Sequence, residues 1–320
     1  MKKKILVLGA SSFGGSSLLK FLKKNTKYKI WGTYKTKNNI NKLFRNDKYQ
    51  YNFIRLDLSS SNNRLIEIIE KLKPNYIFDF ASVCLVNESW SNPDYYFKVN
   101  FSSKLKLVKN LYKYNFLKKF IYISTPEVFG STIKPVKENV KKFNPSTPYA
   151  LSKMNMEQLL TIYNNRKKKS IIVRASNFYG LDQLEHRLIP KLIKSLKNKK
   201  KFSLHGNGDS KRNFIFEDDF NAGLIRLIKY GKNGNTYHFS SENYNTIKEI
   251  VKMTCNLLDV KYVDYVYKVK DRIAKDKYYF LNCNKTKKVL RWKSKITINQ
   301  GLRKIIEYKT WWKIFTQNNT

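Results

Sequence analysis

The stretch KILVLGASSFGGSSLLKFLKK, residues 4–24, decides the fold that we predict for the whole chain. An unbroken apolar run at Lys3–Leu8 is typical of a strand buried in a parallel sheet. A glycine turn follows, and the mixed apolar and basic residues after it indicate an amphipathic helix. Such a turn directs backbone N–H groups and a helix N-terminus toward one point, where a pyrophosphate can bind. The stretch therefore predicts a dinucleotide-binding strand–turn–helix unit.

The glycine turn contains the first residues that we expect to hold the dinucleotide. Its spacing is G-x-x-S-x-x-G, with a serine where a middle glycine is usual. A strand before the turn and a helix after it make this spacing much more specific than it would be alone. The predicted cofactor-binding residues of the turn are Gly9, Ser11, Ser12, Phe13, Gly14 and Gly15.

The second predicted strand, Tyr28–Tyr34, ends without the carboxylate that commonly binds a ribose 2′-hydroxyl. Tyr34, Lys35 and Lys37 stand there instead, and a basic side chain could accept a 2′-phosphate. NAD and NADP therefore both stay open as the cofactor. Asp57, at the end of the third predicted strand, is placed to reach an adenine. The cofactor contacts expected after the third and fourth strands are Asp57, Leu58, Phe80, Ala81 and Ser82.

Apolar runs and helical patterns alternate along the first half of the chain. Further strands are predicted at Tyr51–Leu58, Tyr76–Phe80, Phe120–Ser124 and Ser170–Arg174, and helices at Arg64–Leu72, Asp94–Asn115 and Ser146–Ile162. This alternation predicts an α/β fold with a Rossmann-type doubly wound parallel sheet. We place the cofactor-binding domain at residues 1–174, with a later return of the chain around 214–240. Residues 175–320 are expected to form a smaller α/β domain that mainly binds substrate.

Composition indicates a folded protein with no membrane partner. The chain has 320 residues and 42% hydrophobic side chains, enough for a full core. No apolar run approaches the roughly 20 residues that a membrane helix needs. The three cysteines and three histidines lack metal-ligand spacing, so we expect no metal. Without a disulfide framework the chain suits a reducing compartment, and we predict that it is cytoplasmic.

The formal net charge of +41 reflects 64 Lys and Arg against 23 Asp and Glu. Basic domains attract nucleic-acid phosphates. Here, however, the lysines are scattered among Asn, Tyr and Ile over the entire length, without a recurring ribbon of basic and aromatic residues. We interpret the charge as a drift of the whole composition toward lysine, asparagine and isoleucine, with the lysines on a solvent-exposed surface. We therefore predict no nucleic-acid partner. The charge would also help to gather an anionic substrate.

A candidate active site follows the fifth predicted strand. Thr125 and Glu127 lie just past its C-terminal end, where open α/β sheets carry their chemistry. Tyr149 and Lys153 are four residues apart and share a face of the next predicted helix. An adjacent ammonium, or the positive ring of a bound nicotinamide, favours the phenolate form of a tyrosine. Tyr149 could then take a proton from a substrate hydroxyl while a hydride leaves the carbon.

With these motifs in order, the chain resembles the extended short-chain dehydrogenase/reductases that modify nucleotide sugars, over nearly all of its length. The shared motifs are GASSFGG, LDL at 56–58, SW-x-x-P at Ser89–Pro93, STPEVFG, PYALSK, R-x-S-N-F-Y-G at Arg174–Gly180, KRNFIF-x-x-D at Lys211–Asp219 and LNCNKTKKVLRW. The resemblance implies a tightly bound, recycled NAD or NADP and a nucleoside-diphosphate-sugar substrate. It also implies a homodimer through the helix of Tyr149 and the helix at Asp94–Asn115.

The resemblance assigns roles to individual residues. Tyr149 would be the base, Lys153 would bind the nicotinamide ribose and lower the pKa of the tyrosine, and Thr125 would hydrogen-bond the sugar O4. Asn177 and Arg212 match positions that hold the substrate diphosphate, where the planar guanidinium of an arginine is well suited. The residues expected to bind substrate are Ser89, Thr125, Asn177, Arg187, Arg212 and Arg272.

Glu127 is the residue that distinguishes the reactions of this family. Simple 4-epimerases oxidise C4 and reduce the ketone from the other face, and they usually have a small residue at this position. A 4,6-dehydratase needs a base for the C5 proton once C4 is a ketone, and a carboxylate beside the sugar supplies it. We therefore predict an NDP-hexose 4,6-dehydratase, in which water leaves C6 and the hydride returns there.

Two departures from the family pattern keep alternatives open. Pro126 cannot donate a proton, so Glu127 would serve as base and then as acid, and Asn213 stands where an Asp often follows the arginine. An NDP-sugar 4-epimerase is one alternative. An NDP-uronate decarboxylase is another, and Arg187 and Lys191 are candidates for binding its substrate carboxylate. The alternative outside enzymes is a basic Rossmann protein that binds nucleotides or RNA without catalysis.

Overall fold

The structure is a computed structural model that describes residues 2–44, 47–60, 62–271 and 278–308. The strands in these ranges are β1 (Lys4–Leu8), β2 (Lys29–Tyr34), β3 (Asn52–Arg55), β4 (Tyr76–Asp79), β5 (Lys119–Ser124), β6 (Ser170–Ala175), β7 (Asn177–Tyr179), β8 (Phe202–His205), β9 (Lys211–Phe216), β10 (Thr236–Phe239), β11 (Tyr244–Thr246) and β12 (Val266–Val269).

The helices that accompany these strands flank the sheets and join them. They are α1 (Phe13–Asn25), α2 (Lys37–Phe44), α3 (Asn62–Leu72), α4 (Val86–Ser91), α5 (Pro93–Phe97), α6 (Ser103–Leu111), α7 (Pro148–Arg166), α8 (Leu188–Lys197), α9 (Glu217–Tyr230), α10 (Ile247–Leu257), α11 (Tyr262–Tyr265), α12 (Asn284–Leu290) and α13 (Ile298–Glu307). A π-turn spans Lys98–Ser102 and a 3-10 turn spans Pro126–Phe129.

A seven-stranded sheet dominates the fold, with the order β10-β6-β5-β4-β1-β2-β3 and every neighbouring pair parallel. Parallel neighbours need crossover connections, and helices supply most of them. The strand order reverses between β1 and β4, which leaves a crevice beyond their carboxyl ends. The predicted α/β fold with a doubly wound parallel sheet is confirmed.

Alternation along β1 explains the two-layered core. Ile5 and Val7 point to one face of the sheet, into a cluster with α1 and α9, whereas Leu6 and Leu8 point to the other face, toward α3, α6 and α7. All four side chains are fully buried. A strand that is covered by helices on both faces must be apolar throughout, and for this reason the KILVL run is unbroken.

Two smaller sheets lie beside the large one, in the order β11-β9-β7 and β12-β8. Their helices α8, α10 and α13 surround separate apolar clusters. The strands β7, β8, β11 and β12 were not predicted from the sequence. Each of these has only three or four residues, too few to show a period of two.

The predicted helix at Asp94–Asn115 is corrected in the structure. It consists of α5, the π-turn and α6, and it ends at Leu111. Asn100 in the π-turn is fully buried and bonds both backbone groups of Val83 and the hydroxyl of Ser152. The buried amide lies within the π-turn, which contains one residue more than a turn of α-helix.

The third strand is shorter than predicted. It ends at Arg55, because the Asp57 carboxylate accepts hydrogen bonds from the backbone and the hydroxyl of Ser59 and turns the chain. The sequence prediction extended this strand to Leu58, which is buried after the turn.

A buried ion pair between Arg174 and Glu157 connects the helix α7 to the large sheet. Arg174 on β6 donates from Nε to both carboxylate oxygens of Glu157 on α7, at 3.0 and 3.1 Å, and from Nη2 at 2.5 Å. Its Nη1 lies 3.1 Å from Nε2 of His238 on β10, and the His238 Nδ1 bonds the carbonyl of Asn282. Burial lowers the pKa of His238 well below its usual value, so the ring is neutral and Nε2 can accept from Arg174.

We expect Arg174→Met to lower the free energy of unfolding by about 3–5 kcal/mol, because it leaves the Glu157 carboxylate buried without its partner. Denaturant titration followed by circular dichroism measures the change. The double variant Glu157→Gln/Arg174→Met removes both charges and should recover part of the loss. Equal stability of Arg174→Met and the unaltered protein would contradict the importance of this pair.

Candidate active site

A cavity of about 950 Å³ opens at the carboxyl edge of the large sheet. One wall comes from the segments that follow four strands: Ser12–Gly14 after β1, Ser82–Val86 after β4, Ser124–Glu127 at the end of β5, and Ala175–Tyr179 after β6. The opposite wall includes Arg187 and its neighbours before α8. The cavity thus occupies the switch point of the sheet, where ligands of doubly wound folds bind.

The glycine turn is shaped by close backbone contacts. Gly9 has φ +78°, and a Cβ there would lie 2.7 Å from the backbone nitrogen of Ala81. A Cβ at Gly15 would lie 2.2 Å from the Gly9 carbonyl oxygen. Ser12 caps α1, since its Oγ accepts from the Gly15 N–H at 3.1 Å and donates to the Gly9 carbonyl at 2.7 Å. The serine at the middle glycine position is therefore part of the turn's hydrogen bonding.

The first turn of α1 faces the cavity and can hold a dinucleotide diphosphate. Phe13 and Gly14 both line the cavity. Their N–H groups belong to the first turn of the helix, where backbone donors lack intrahelical acceptors. A diphosphate there would also meet the positive end of the helix dipole. The Phe80 ring closes over this turn, because a Cβ on Gly14 would lie 2.6 Å from it.

The helix α7 presents Tyr149 and Lys153 to the cavity. Thr147 caps the helix by accepting from the Ala150 N–H at 3.1 Å, and Pro148 occupies the first helical position, where its missing N–H costs nothing. Both side chains are buried, with 8% and 1% of their surfaces exposed. Their spacing of one helical turn brings them to the same wall, as predicted.

Lys153 is held by three neighbours. Its Nζ donates to Ser82 Oγ at 2.9 Å and to the Ile123 carbonyl at 2.6 Å, and it lies 4.2 Å from the ring centroid of Tyr122. Burial, followed by repulsion from Lys104, lowers the pKa of Lys153 to about 7. The ammonium is therefore easily deprotonated in this environment.

Burial and several neighbouring groups set the pKa of Tyr149. Burial and then the charge of Glu127 raise the pKa of Tyr149 well above its usual value, and a hydrogen bond with Thr125 opposes this only partly. The predicted lowering of this pKa by Lys153 stays a prediction. A bound nicotinamide would add a positive charge that favours the phenolate.

Thr125 and Glu127 are fixed by a 3-10 turn at the end of β5. Thr125 caps the turn and accepts from the Glu127 N–H at 3.3 Å. Pro126 is buried at the first position of the turn, so the loss of its N–H is tolerated. Glu127 is half-buried and lines the cavity beside Tyr149. The turn thus delivers a hydroxyl and a carboxylate to the same space as the tyrosine.

Asn177 and Arg187 also line the cavity, as expected of substrate-binding residues. The sequence analysis missed two of their neighbours. Cys84 accepts a hydrogen bond from Arg187 Nη2 at 2.9 Å, and the Tyr96 ring lies edge-on to Tyr149 at 6.4 Å. Cys84 stands only two residues after Ser82, and this closeness was the one signal available in the sequence.

Two predicted substrate residues, Ser89 and Arg212, do not line the cavity. Ser89 is fully buried, and its hydroxyl donates to the Val86 carbonyl within α4. Arg212 stacks on the Tyr279 ring at 3.9 Å, outside the cavity lining. Arg272 lies outside the residues that the structure describes.

The predicted adenosine-side residues lie at the ends of β2 and β3 rather than in the cavity wall. Lys35 Nζ is 3.1 Å from the Asp57 carboxylate and 3.1 Å from the Tyr95 hydroxyl. The cation expected to accept a 2′-phosphate is thus paired with the acid expected to reach the adenine. The other predicted cofactor residues outside the cavity lining are Gly9, Ser11, Gly15, Tyr34, Leu58 and Ala81.

No group of three or more His, Cys, Asp or Glu side chains among the described residues could hold a metal ion. Within those residues no helix is both long and apolar enough to cross a membrane.

Several curated proteins are similar to this chain over most of their length. The dTDP-glucose 4,6-dehydratase of Salmonella typhimurium is 27% identical over 335 aligned residues, which cover 95% of this chain and 92% of that protein. The dTDP-D-glucose 4,6-dehydratase of Dictyostelium discoideum is 29% identical over 360 aligned residues, covering 96% and 82%.

Solved structures agree with the fold. The dTDP-glucose 4,6-dehydratase of Bacillus anthracis in complex with NAD superposes with a TM-score of 0.84 at 25% identity, covering 98% of both chains. The UDP-glucose 4-epimerase of Thermotoga maritima has a TM-score of 0.85 at 22% identity, covering 96% and 98%. Residues 5–259 match the family described as the NAD dependent epimerase/dehydratase family. The resemblance seen in the sequence is thus confirmed, and the chain belongs to the NAD-dependent epimerase/dehydratase family.

Proposed function

We propose that this enzyme is an NDP-hexose 4,6-dehydratase and that dTDP-glucose is the substrate to test first. The observation that carries the proposal is the Glu127 carboxylate, which shares the cavity with Tyr149 and acts on its pKa. A 4-epimerase has no use for a second base there, whereas a dehydratase must remove the C5 proton. The relatives named dTDP-glucose 4,6-dehydratase suggest the nucleotide and the sugar.

The chain's own residues fit a nicotinamide dinucleotide. The capped glycine turn would supply donors for the diphosphate, and Lys153, which lines the same cavity, would bind the nicotinamide ribose. When bound, the cofactor would accept the C4 hydride and later return it to C6. NAD is the form found with the Bacillus anthracis protein, and we propose NAD as the first form to test here.

The proposed steps use three side chains of the cavity. Tyr149 takes the proton of the sugar O4 as C4 is oxidised, while Thr125 holds that oxygen by a hydrogen bond. Glu127 then takes the C5 proton, which the neighbouring C4 ketone has made acidic. Because Pro126 has no acidic group, the protonated Glu127 gives this proton to the C6 hydroxyl, and water leaves. A hydride returned to C6 by the cofactor and a proton from water taken up at C5 would then complete the 4-keto-6-deoxy sugar.

NMR of the purified protein with a panel of NDP-hexoses tests the proposal. The panel contains dTDP-glucose, GDP-mannose, CDP-glucose and UDP-GlcNAc, each with NAD and with NADP in heavy water. A 4-keto-6-deoxy product with deuterium at C5 is expected for one of them. Inversion at C4 without C5 exchange would instead make the protein an epimerase.

Arg187 favours one second candidate, because it places a cation in the cavity where a substrate carboxylate could bind. Lys191, the other residue considered for this role, is exposed and does not line the cavity. UDP-glucuronate therefore belongs in the panel as well. Release of carbon dioxide from it, with no reaction of the neutral hexoses, would identify a decarboxylase.

A homodimer in the cytoplasm is part of the proposal. The helix α7 packs beside α5 and the π-turn that leads into α6, and this group presents exposed apolar side chains. Leu105 on α6 is 42% exposed, and Leu151 and Ile162 on α7 are 38% and 61% exposed. The last two are eleven residues apart, about three turns, so they share one face of the helix. Such a surface is suited to pairing with a second copy.

We expect Leu105→Glu/Ile162→Glu to convert the dimer into a monomer, because a dimer interface buries its apolar side chains and four carboxylates would then meet there. Sedimentation velocity measures the change. Val263→Glu is the matched control, since Val263 is a comparably exposed apolar residue on α11. A dimer that persists in the double variant would place the interface elsewhere.

A further inference from the structure

A second buried ion pair contacts the backbone of Ala81, which packs against Gly9 of the glycine turn. Asp79 ends β4 and Lys104 lies on α6; both side chains are fully buried, and Lys104 Nζ is 2.6 Å from the Asp79 carboxylate. The pair holds the Ala81 backbone from both sides. Lys104 donates to the Ala81 carbonyl at 2.6 Å, and the Asp79 carboxylate accepts from the Ala81 N–H at 3.1 Å.

Ala81 connects this pair to the dinucleotide site. Its backbone lies against Gly9, where the space is too small for a Cβ. The next residue, Ser82, accepts a hydrogen bond from Lys153 Nζ at 2.9 Å. The two ionised groups therefore fix the segment between the glycine turn and the lysine of the candidate active site.

The ring of Tyr122 provides a second connection. Lys153 Nζ lies 4.2 Å from its centroid and Lys104 Nζ lies 5.5 Å from it, so two buried amines approach one ring. The Tyr122 hydroxyl is buried with no hydrogen-bond partner in the described chain. The ring is thus a shared neighbour of both amines.

We propose that Asp79 and Lys104 are positioning residues for Lys153, which hold the Ala81–Ser82 turn under the cofactor and set the electrostatic environment of that lysine. This inference rests on the proposed function only for the role of Lys153 in binding the cofactor. Neither residue touches the cavity, so neither is proposed to contact substrate or cofactor.

The charged groups around Lys153 determine whether its pKa rises or falls when Asp79 and Lys104 are replaced. Burial contributes most to lowering its pKa, and Lys104 is the next cause. Asp79, Cys84 and Glu157 act in the opposite direction, each less than Lys104. Tyr149, on the same helix, is neutral because its own pKa is raised. Removing Lys104 and Asp79 together should therefore raise the pKa of Lys153 and keep it protonated to higher pH.

The test uses the double variant Asp79→Asn/Lys104→Met, which leaves no unpaired buried charge. The protein is labelled with ¹³C at the lysine Cε, and Lys153 is assigned by the loss of its signal in Lys153→Arg. We expect its titration midpoint, near pH 7 in the unaltered protein, to rise by about one pH unit or more. This measurement needs neither substrate nor turnover, so its outcome is independent of the reaction proposed above.

Glu157→Gln/Arg174→Met is the control, because it also removes a buried pair near Lys153. Glu157 raises the pKa of Lys153, so this variant should move the midpoint downward rather than upward. An upward shift of the midpoint in both variants would indicate a general change of packing around Lys153 and would overturn the proposal. An unchanged midpoint in Asp79→Asn/Lys104→Met would also overturn it.

The positioning role is tested by calorimetric titration with NAD at pH 6, which lies below the expected titration midpoint of Lys153 in both the unaltered protein and Asp79→Asn/Lys104→Met. We expect the Kd for NAD to rise roughly tenfold in Asp79→Asn/Lys104→Met, because the two charged side chains that hydrogen-bond the Ala81 backbone have been replaced. An unchanged Kd in a variant with a native circular dichroism spectrum would overturn this positioning role.

Discussion

Replacing Tyr149 by Phe is expected to lower kcat by about 10³-fold or more while the cofactor stays bound, since a positioned general base contributes roughly 10²–10⁴-fold. The phenylalanine keeps the ring that packs against Tyr96 and removes only the hydroxyl that bonds Thr125. Glu127 does not take over this role in the proposed steps, because it acts on the C5 proton. Turnover of the NDP-hexose that reacts with the unaltered enzyme measures the effect.

Tyr96→Phe is the matched control for this substitution. Tyr96 lines the same cavity, but its hydroxyl donates to the Leu85 carbonyl at 2.6 Å and supports the wall rather than the reaction. We expect a change in kcat of less than tenfold. Calorimetry should give a similar Kd for NAD in both variants. Full turnover by Tyr149→Phe would remove Tyr149 from the mechanism.

The pH profile should show where the phenolate is formed. Burial and Glu127 hold the pKa of Tyr149 high in the protein alone, so the neutral phenol is the stable form at neutral pH. A base works only when deprotonated, and kcat is therefore expected to rise with pH until the tyrosine in the cofactor complex has lost its proton.

The parts of the fold that could be predicted from sequence are those set by local patterns. The unbroken KILVL run, its glycine turn and the helix after it are adjacent in the chain, and their periodicities show at once. Tyr149 and Lys153 were paired for the same reason, because one helical turn separates them. The doubly wound parallel sheet followed from the alternation of apolar runs and helical patterns along the chain.

The parts that could not be predicted depend on contacts between distant residues. Lys104 and Asp79 are 25 positions apart, and Arg187 and Cys84 are 103 positions apart, so no local pattern brings them together. Arg212 was assigned from its motif, and the stacking of its guanidinium on Tyr279, 67 positions away, was not indicated by the sequence. A motif gives the position of a residue in the chain but not the direction of a long, flexible side chain.

Replacing Glu127 by Gln should separate the two halves of the reaction. The amide keeps the size of the side chain but can neither take the C5 proton nor give it to the C6 hydroxyl. We expect C4 oxidation to continue, so that the reduced cofactor and a 4-keto sugar accumulate within one turnover. Formation of the 4-keto-6-deoxy product and exchange of C5 with deuterium should both fall by about 10²–10⁴-fold.

The pH dependence of C4 oxidation should also shift in Glu127→Gln. The charge of Glu127 is one of the causes that raise the pKa of Tyr149, and glutamine removes that charge. The phenolate should then form at lower pH, so the pH at which C4 oxidation reaches half its maximum should fall in Glu127→Gln. Rapid-mixing absorbance of the reduced nicotinamide, recorded across pH, measures this shift directly.

Glu88→Gln is the control for both effects, because Glu88 is another carboxylate that lines the cavity. It is absent from the groups that raise the pKa of Tyr149, so neither C5 exchange nor the oxidation profile should change. If Glu127→Gln formed the 4-keto-6-deoxy sugar at the rate of the unaltered enzyme, the C5 base would have to be another group. If it inverted C4 instead, the chain would differ from an epimerase only by this carboxylate, and the dehydratase assignment would depend on Glu127 alone.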